Sequence, residues 1–235
     1  MTKMFAMPVN GPKVSAWTTT SLSAFLVLLG SSSVTHAEAP KVRLQPQAFR
    51  IIPSESGDDN YFRRITSPTG DFIRASYVPP MKTAVLGHEI PESFRQSVTN
   101  LSWRWRVQTF PAGANECGKG KSDSAAVVYV SWRRGLRWYA LKYVWSTSAP
   151  KGSVCEKRRN PFAAQDTIVL ESGGTINEWR TVSLNPKAEF RKHFENGDPK
   201  ADVPDLMGVG LMSDGDQTSS KSSADFADFV VSKAP

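Results

Sequence analysis

The chain predicts an all-β sandwich of jelly-roll type with one short helix, and three observations carry that prediction. Leu101, Trp103, Trp105 and Val107 alternate with Ser102, Arg104 and Arg106, which is the period of a strand with one buried and one wet face. Two indoles on one strand face are a load on the order of 150–250 Å² each, and a second sheet is the simplest surface broad enough to cover them. Nine or ten such short stretches recur between turn-rich segments, with a single helical signature among them, the spacing of a sandwich rather than of a helix-layered parallel sheet.

The fold begins late in the chain. Lys3 and Lys13 precede an apolar run over residues 22–29, small residues follow, and Val34-Thr-His-Ala37 offers a cleavage site. Residues 1–37 therefore read as a secretory signal peptide, since the apolar core is too short to span a bilayer. Residues 38–60 read as an extended N-terminal segment and residues 61–235 as a single sandwich domain. Removing the leader lowers the formal charge from +7 to +5. Such a moderate, dispersed charge suits anionic partners such as envelope glycans or lipid head groups. No basic run interleaved with aromatics suggests a nucleic-acid groove. A periplasmic or secreted monomer is expected.

In chain order, residues 61–65 and 71–78 form a hairpin about Ser67-Pro-Thr-Gly70, and Pro79-Pro80 stops the second strand. Residues 82–90 give a weaker strand, and Pro91-Glu-Ser-Phe94 opens one helical turn. After the Trp strand, residues 110–122 are a loop. Residues 123–132 then form a strand apolar on both faces, hence central in its sheet. Arg133-Arg-Gly135 turns it into a return strand with Tyr139, Leu141, Tyr143 and Trp145 on one face and Trp138, Ala140 and Val144 on the other. Residues 146–165 read as a long loop, and such loops are often functional. Residues 167–171 and 175–184 read as a strand pair joined by Ser172-Gly-Gly174. The helix follows: Asn185 caps it, Pro186 takes the first position, Phe190 and Phe194 share a face, and Gly197 ends it. Residues 206–213 form a strand whose Gly208 and Gly210 imply a close neighbour, with a core tryptophan expected there. Residues 224–231 close the fold. The expected core holds Trp103, Trp105, Val128, Val130, Tyr143, Val144 and Leu211.

Catalytic signals are sparse. Beyond the leader only His88 and His193 remain, the latter expected on the helix surface, and there is no HExxH or GxSxG. Ser148-Ala-Pro-Lys151 matches SxxK, but Pro150 and Gly152 forbid the helix that serine would need. Asp123, Glu171, Glu178, Asp214 and Asp216 lie near strand ends, but nothing in the sequence selects a catalytic pair. Asp214, Asp216 and Thr218 place oxygens at alternate positions as a calcium loop does, with Asp225 twelfth. Ser219 stands where such a loop wants glycine, and a polar turn explains the same residues. Tyr139 and Trp145, with Tyr143, could stack on sugar rings if exposed, or belong to the core.

Cys117 and Cys155 match no metal spacing and are headed for an oxidising compartment. The open ends of the hairpin over 123–145 are neighbours, so loops leaving that edge can join the two sulfurs. The bridge would set Lys119 and Lys121 beside Lys157, Arg158 and Arg159 as one basic rim for an anionic ligand.

Several pieces of the chain, in order, carry a resemblance. Leu101-Ser-Trp-Arg-Trp-Arg-Val107, the hairpin after it, Tyr143-Val-Trp145, Glu178-Trp-Arg180 and Val209-Gly-Leu-Met-Ser-Asp-Gly-Asp-Gln-Thr218 resemble the bacterial envelope family catalogued as domain of unknown function 3047. The resemblance spans roughly residues 60–232. It implies an exported globular domain and supplies no activity. The chain departs from the family pattern at Ser122-Asp123-Ser124, where an aspartate pair is usual, and at Gly215, where threonine is usual. The expected fold is also similar to galactose-binding-like carbohydrate modules. The expected function is a non-catalytic binding module for an envelope glycan or other anionic surface ligand. The alternatives are a glycoside or ester hydrolase, which needs ionisable groups converging in a pocket, and a structural envelope protein, which needs neither those nor exposed rings.

Overall fold

The computed structural model describes residues 39–53 and 59–234; the leader expected over residues 1–37 lies outside them. In chain order the elements are β1 (Lys41–Arg43), β2 (Arg50–Ile52), β3 (Phe62–Ile65), β4 (Phe72–Tyr77), β5 (Val85–Glu89), α1 (Glu92–Arg95) and β6 (Val98–Thr109). Then come β7 (Ser124–Arg134), β8 (Arg137–Ser146), β9 (Val154–Arg159), β10 (Ala163–Ser172), β11 (Arg180–Leu184), α2 (Pro186–Phe194), β12 (Asp205–Met212) and β13 (Ser222–Lys233). They build two sheets. The six-stranded sheet has the order β11-β6-β13-β4-β3, with β1 also on β13; the seven-stranded sheet runs β2-β5-β12-β7-β8-β10-β9. The all-β jelly-roll sandwich predicted from the sequence is the fold observed. All of these elements belong to one compact unit, Ala37–Pro235. Among the described residues no helix is long and apolar enough to cross a membrane.

The alternation along β6 sets the sandwich. Leu101, Trp103, Trp105 and Val107 are wholly buried and meet the inner face of the opposing sheet. Trp103 lies 6.0 Å from Tyr143 and Trp105 lies 5.8 Å from Trp145, ring to ring. β7 contributes Val128, Val130 and Trp132 to the same layer. Val144 is buried too, but on the outer face of the seven-stranded sheet, in a second small cluster with Val127, Ala149, Val169 and Met212. That is why β7 reads as apolar on both faces.

α2 closes one end of the core. Asn185 Oδ1 accepts from the backbone N–H groups of Lys187 and Ala188 at 3.0 and 3.2 Å, capping donors that would otherwise be orphaned. Phe190 is wholly buried, 5.5 Å from Trp132 and 5.1 Å from Tyr139. A helix this short has no independent stability, and these contacts hold it.

The structure corrects four expectations. Residues 154–159 are a strand, β9, not loop; it pairs antiparallel with β10, while β10 runs parallel to β8. β10 and β11 are not a hairpin, because the chain crosses between sheets after Ser172-Gly-Gly174 and β11 pairs with β6. The β7–β8 turn is Gly135-Leu136, since Arg134 pairs with Arg137 and Gly135 takes φ +59°. Gly208 and Gly210 face away from the tryptophans: a Cβ on Gly210 would lie 2.7 Å from Val85 Cγ1, and one on Gly208 would lie 2.9 Å from the His88 carbonyl oxygen.

Candidate functional site

The outer face of the six-stranded sheet gathers the wet residues of three strands. β6 supplies Arg104, Arg106 and Gln108, β13 supplies Asp225 and Asp228, and β4 supplies Phe72 and Arg74, in register across the sheet. Asp225 is wholly buried. It accepts from Arg74 Nε and Nη2 at 2.7 and 2.9 Å, from Arg106 Nε at 2.8 Å and from Gln108 Nε2 at 2.9 Å. One carboxylate therefore fixes two guanidiniums side by side, a charge-assisted arrangement stronger than neutral hydrogen bonds. Its hydrogen bond raises the Arg74 pKa, against a smaller opposing effect of burial. Asp228 anchors Arg104 at 3.0 Å and also pairs with Arg43.

Trp179, in the segment leading into β11, lies across this row. The Arg104 and Arg106 guanidinium carbons sit 4.8 and 4.6 Å from the centre of its ring, within cation–π range, and Phe72 meets its edge at 5.9 Å. The backbone that presents it is tied down: Asn177, at φ +65°, donates its N–H to the Val107 carbonyl at 2.7 Å. The indole stays partly exposed and walls a groove of about 320 Å³ with Phe72, Arg104, Arg106, Asp228, Asp71, Ser67 and Thr69. That volume is within the range of small-ligand sites. A larger hollow of about 540 Å³ lies beside the N-terminal segment. Its Arg50 and Arg64 are already donating to the backbone carbonyls of Phe49 and Pro46.

A second polar cluster occupies the end of the sandwich where β12 gives way to β13. Carboxylate oxygens of Asp123, Asp214 and Asp216 lie within 4.8 Å of one another, a span that one cation can bridge. Asp123 is wholly buried and accepts from the Gln217 and Thr218 N–H groups and the Thr218 hydroxyl at 3.2, 2.7 and 2.6 Å. It thus holds the 215–220 turn. Burial pushes the Asp214 carboxyl up to about 7; Lys142 opposes this, while Asp216 and Asp123 add to it. Nearby, Glu116 accepts from buried Lys142 at 2.7 Å and from the Ser124 hydroxyl, tying the 110–123 loop onto the outer face of the seven-stranded sheet. Burial alone would lower the Lys142 pKa, but Tyr129 and Glu116 raise it overall and keep the amine charged.

The residues singled out in the sequence fare differently. Cys117 and Cys155 are disulfide-bonded, with a Cα separation of 4.5 Å. The basic rim is not assembled. β9 carries Arg158 and Arg159 away from Cys155, to the level of Ala140 and Tyr139 at the far end of the sheet, and Lys119 and Lys121 stay at the disulfide end. Arg158 pairs with Glu156, and Arg159 with Asp166 on the opposite face of the strand. Tyr139 and Trp145 are 7% and 2% exposed; they are core, and no sugar platform forms there. Asp214 and Asp216 do come together, but not as a calcium loop: the Thr218 hydroxyl points to Asp123, and Asp225 faces the other site. His193 is buried rather than on the surface, with its Nδ1 2.8 Å from Asp166 Oδ2. A Cβ at Gly215 would fall 2.1 Å from the Ser220 carbonyl oxygen, so this turn could not hold the usual threonine without shifting. Trp179 was missed as a site residue. The signal for it was a tryptophan flanked by charges in Glu178-Trp-Arg180, together with two arginines on the wet face of the Trp strand.

Fold and site together define a two-sheet β-sandwich that displays an aromatic, arginine-rich groove on one outer sheet face. Residues 81–230 match the family described as "Protein of unknown function (DUF3047)", and the chain belongs to that family. No curated protein matches it. Among solved structures it is similar to the family 11 carbohydrate-binding module of cellulosomal cellulase Lic26A-Cel5E of Clostridium thermocellum, at 9% identity and TM-score 0.39 over 83% of this chain and 87% of that one. It is also similar to Trichoderma harzianum endoglucanase 3 from family GH12, at 8% identity and TM-score 0.45 over 84% and 98%. A third is the xyloglucanase domain of NopAA from Sinorhizobium fredii, at 11% identity and TM-score 0.41 over 85% and 100%. At these values the likeness says nothing about what this chain binds.

Proposed function

We propose that this protein is an exported, non-catalytic binding domain that takes an anionic glycan of the cell envelope in the groove beside Trp179. The observation that carries this reading is the partly exposed indole laid across Arg104 and Arg106. A ring face for a pyranose and guanidinium donors for a carboxylate or phosphate substituent stand side by side. The arginines are held in place before any ligand arrives, by the buried Asp225 carboxylate and by Asp228, so little ordering remains to be done on binding. Four guanidiniums, from Arg43, Arg74, Arg104 and Arg106, face these two carboxylates, and with Asp71 also in the groove wall one net positive charge remains. The hydrolase alternative has less support: of the three clustered aspartates only Asp216 is exposed, and Asp123 is already occupied by the turn it holds.

The test is binding of the purified protein to acidic polysaccharides such as alginate and polygalacturonate, with dextran as the neutral control. Binding to the acidic polymers that weakens with salt and drops at least tenfold in Trp179→Ala and Arg104→Ala is expected. Equal retention on dextran, or acidic binding that both substitutions leave intact, would remove the proposal.

A further inference from the structure

Two hairpin tips meet at the end of the seven-stranded sheet where α2 docks. The β7–β8 tip carries Leu136 at its apex and Trp138 just after it; the β9–β10 tip carries Phe162. The strands are in register there, Trp138 opposite Ala163, and the Trp138 N–H donates to the Phe162 carbonyl at 2.8 Å. These three side chains are 77%, 43% and 68% exposed, a concentration of apolar surface at one protruding point. The same two hairpins carry six basic residues: Arg133, Arg134 and Arg137 at the first tip, Arg158 and Arg159 beside the second, and Lys157 further along β9, opposite Asp166. Arg134, Arg158 and Arg159 pair with Glu195, Glu156 and Asp166. Among the described residues no carboxylate pairs with Arg133, Arg137 or Lys157. The Arg133 guanidinium sits 5.3 Å from the centre of the Trp138 ring, keeping charge and indole at one level.

We propose that this double tip docks the protein on an anionic phospholipid bilayer. Exposed apolar side chains at hairpin tips that also carry cations match a membrane surface, where rings and aliphatic groups sink below the head groups and cations stay with the phosphates. A second copy of the chain fits less well. The exposed parts of the three side chains total roughly 400 Å², about half of what one side of a stable interface buries. The site is separate from the Trp179 groove, which lies on the other sheet.

Vesicle sedimentation of the full chain tests the proposal, using equal parts phosphatidylglycerol and phosphatidylcholine against phosphatidylcholine alone. Binding to the anionic vesicles should fall at least tenfold in a Leu136→Asp/Phe162→Asp variant and severalfold in Arg133→Glu/Lys157→Glu. Glycan binding through Trp179 should persist in both. The emission of Trp138, taken as the difference between the parent and Trp138→Phe, should shift to the blue with anionic vesicles. Should the first variant fail to fold by circular dichroism, the charge-reversal variant and the Trp138 signal decide. Vesicle binding unchanged by these substitutions, no preference for phosphatidylglycerol, or self-association that the substitutions abolish would each overturn it.

Discussion

Replacing Asp214 with asparagine should stabilise the fold, and the gain should depend on pH in a set direction. Burial among Lys142, Asp216 and Asp123 moves this carboxyl from 3.8 to about 7. Between those values the native protein holds a proton that the unfolded chain releases, so the parent loses stability as pH rises through that window and levels off above it. The full displacement corresponds to about 4 kcal/mol. Asparagine has no charge to bury, and the raised value already includes the attraction of Lys142, so most of that displacement, about 3–4 kcal/mol, should be gained at pH 8. Near pH 4 parent and variant should be alike. Urea unfolding followed by tryptophan emission at pH 4.5, 6 and 8, with EDTA present throughout, measures this. Parallel pH curves for the two proteins, or an asparagine variant weaker than the parent at pH 8, would show that Asp214 is ionised and satisfied in the native state.

Two further outcomes are expected from the same unfolding assay. Cys117→Ser/Cys155→Ser opens a loop whose ends are 38 residues apart and should cost about 4 kcal/mol in the chain-entropy picture, read as a lower urea midpoint. Asp225→Ala should cost about 3 kcal/mol, at the low end for breaking a buried ion pair, because the Arg74 side chain is 36% exposed and can turn to water; Asp225→Asn should cost less, since it keeps one acceptor.

What the sequence makes legible follows from where the forces act. The Trp strand, the β7–β8 hairpin and the Asn185-capped helix are written in local periodicity and capping chemistry, and each forms as expected, the hairpin turn alone being displaced to Gly135-Leu136. The disulfide follows from the hairpin, because antiparallel pairing fixes which loop ends are neighbours. β9 hides because Val154-Cys-Glu-Lys-Arg-Arg159 has charges on both faces. Edge strands often carry such charges to discourage further pairing, and in sequence alone they read as loop. The crossing between β10 and β11 hides because a glycine turn looks the same whether the chain folds back or moves to the other sheet. His193 reads as surface because the helix alone does not reveal Asp166, which points inward from β10 to meet it. The Trp179 groove needs four separate segments, at 71–74, 104–106, 179 and 225–228, to be brought onto one face. No local pattern encodes that juxtaposition.

The placement of the last two strands bears on how the molecule comes into being. β12 lies between β5 and β7, and β13 lies between β6 and β4 and also pairs with β1. Every one of those partners is synthesised earlier. Until residues 205–233 emerge, the seven-stranded sheet exists as two parts and the six-stranded one as β11-β6, β4-β3 and an unpaired β1, and the Trp-bearing faces have no complete wall to close against. Contacts this distant in sequence also form slowly. A nascent chain would therefore stay open until β12 and β13 are made and then close both sheets in one late step.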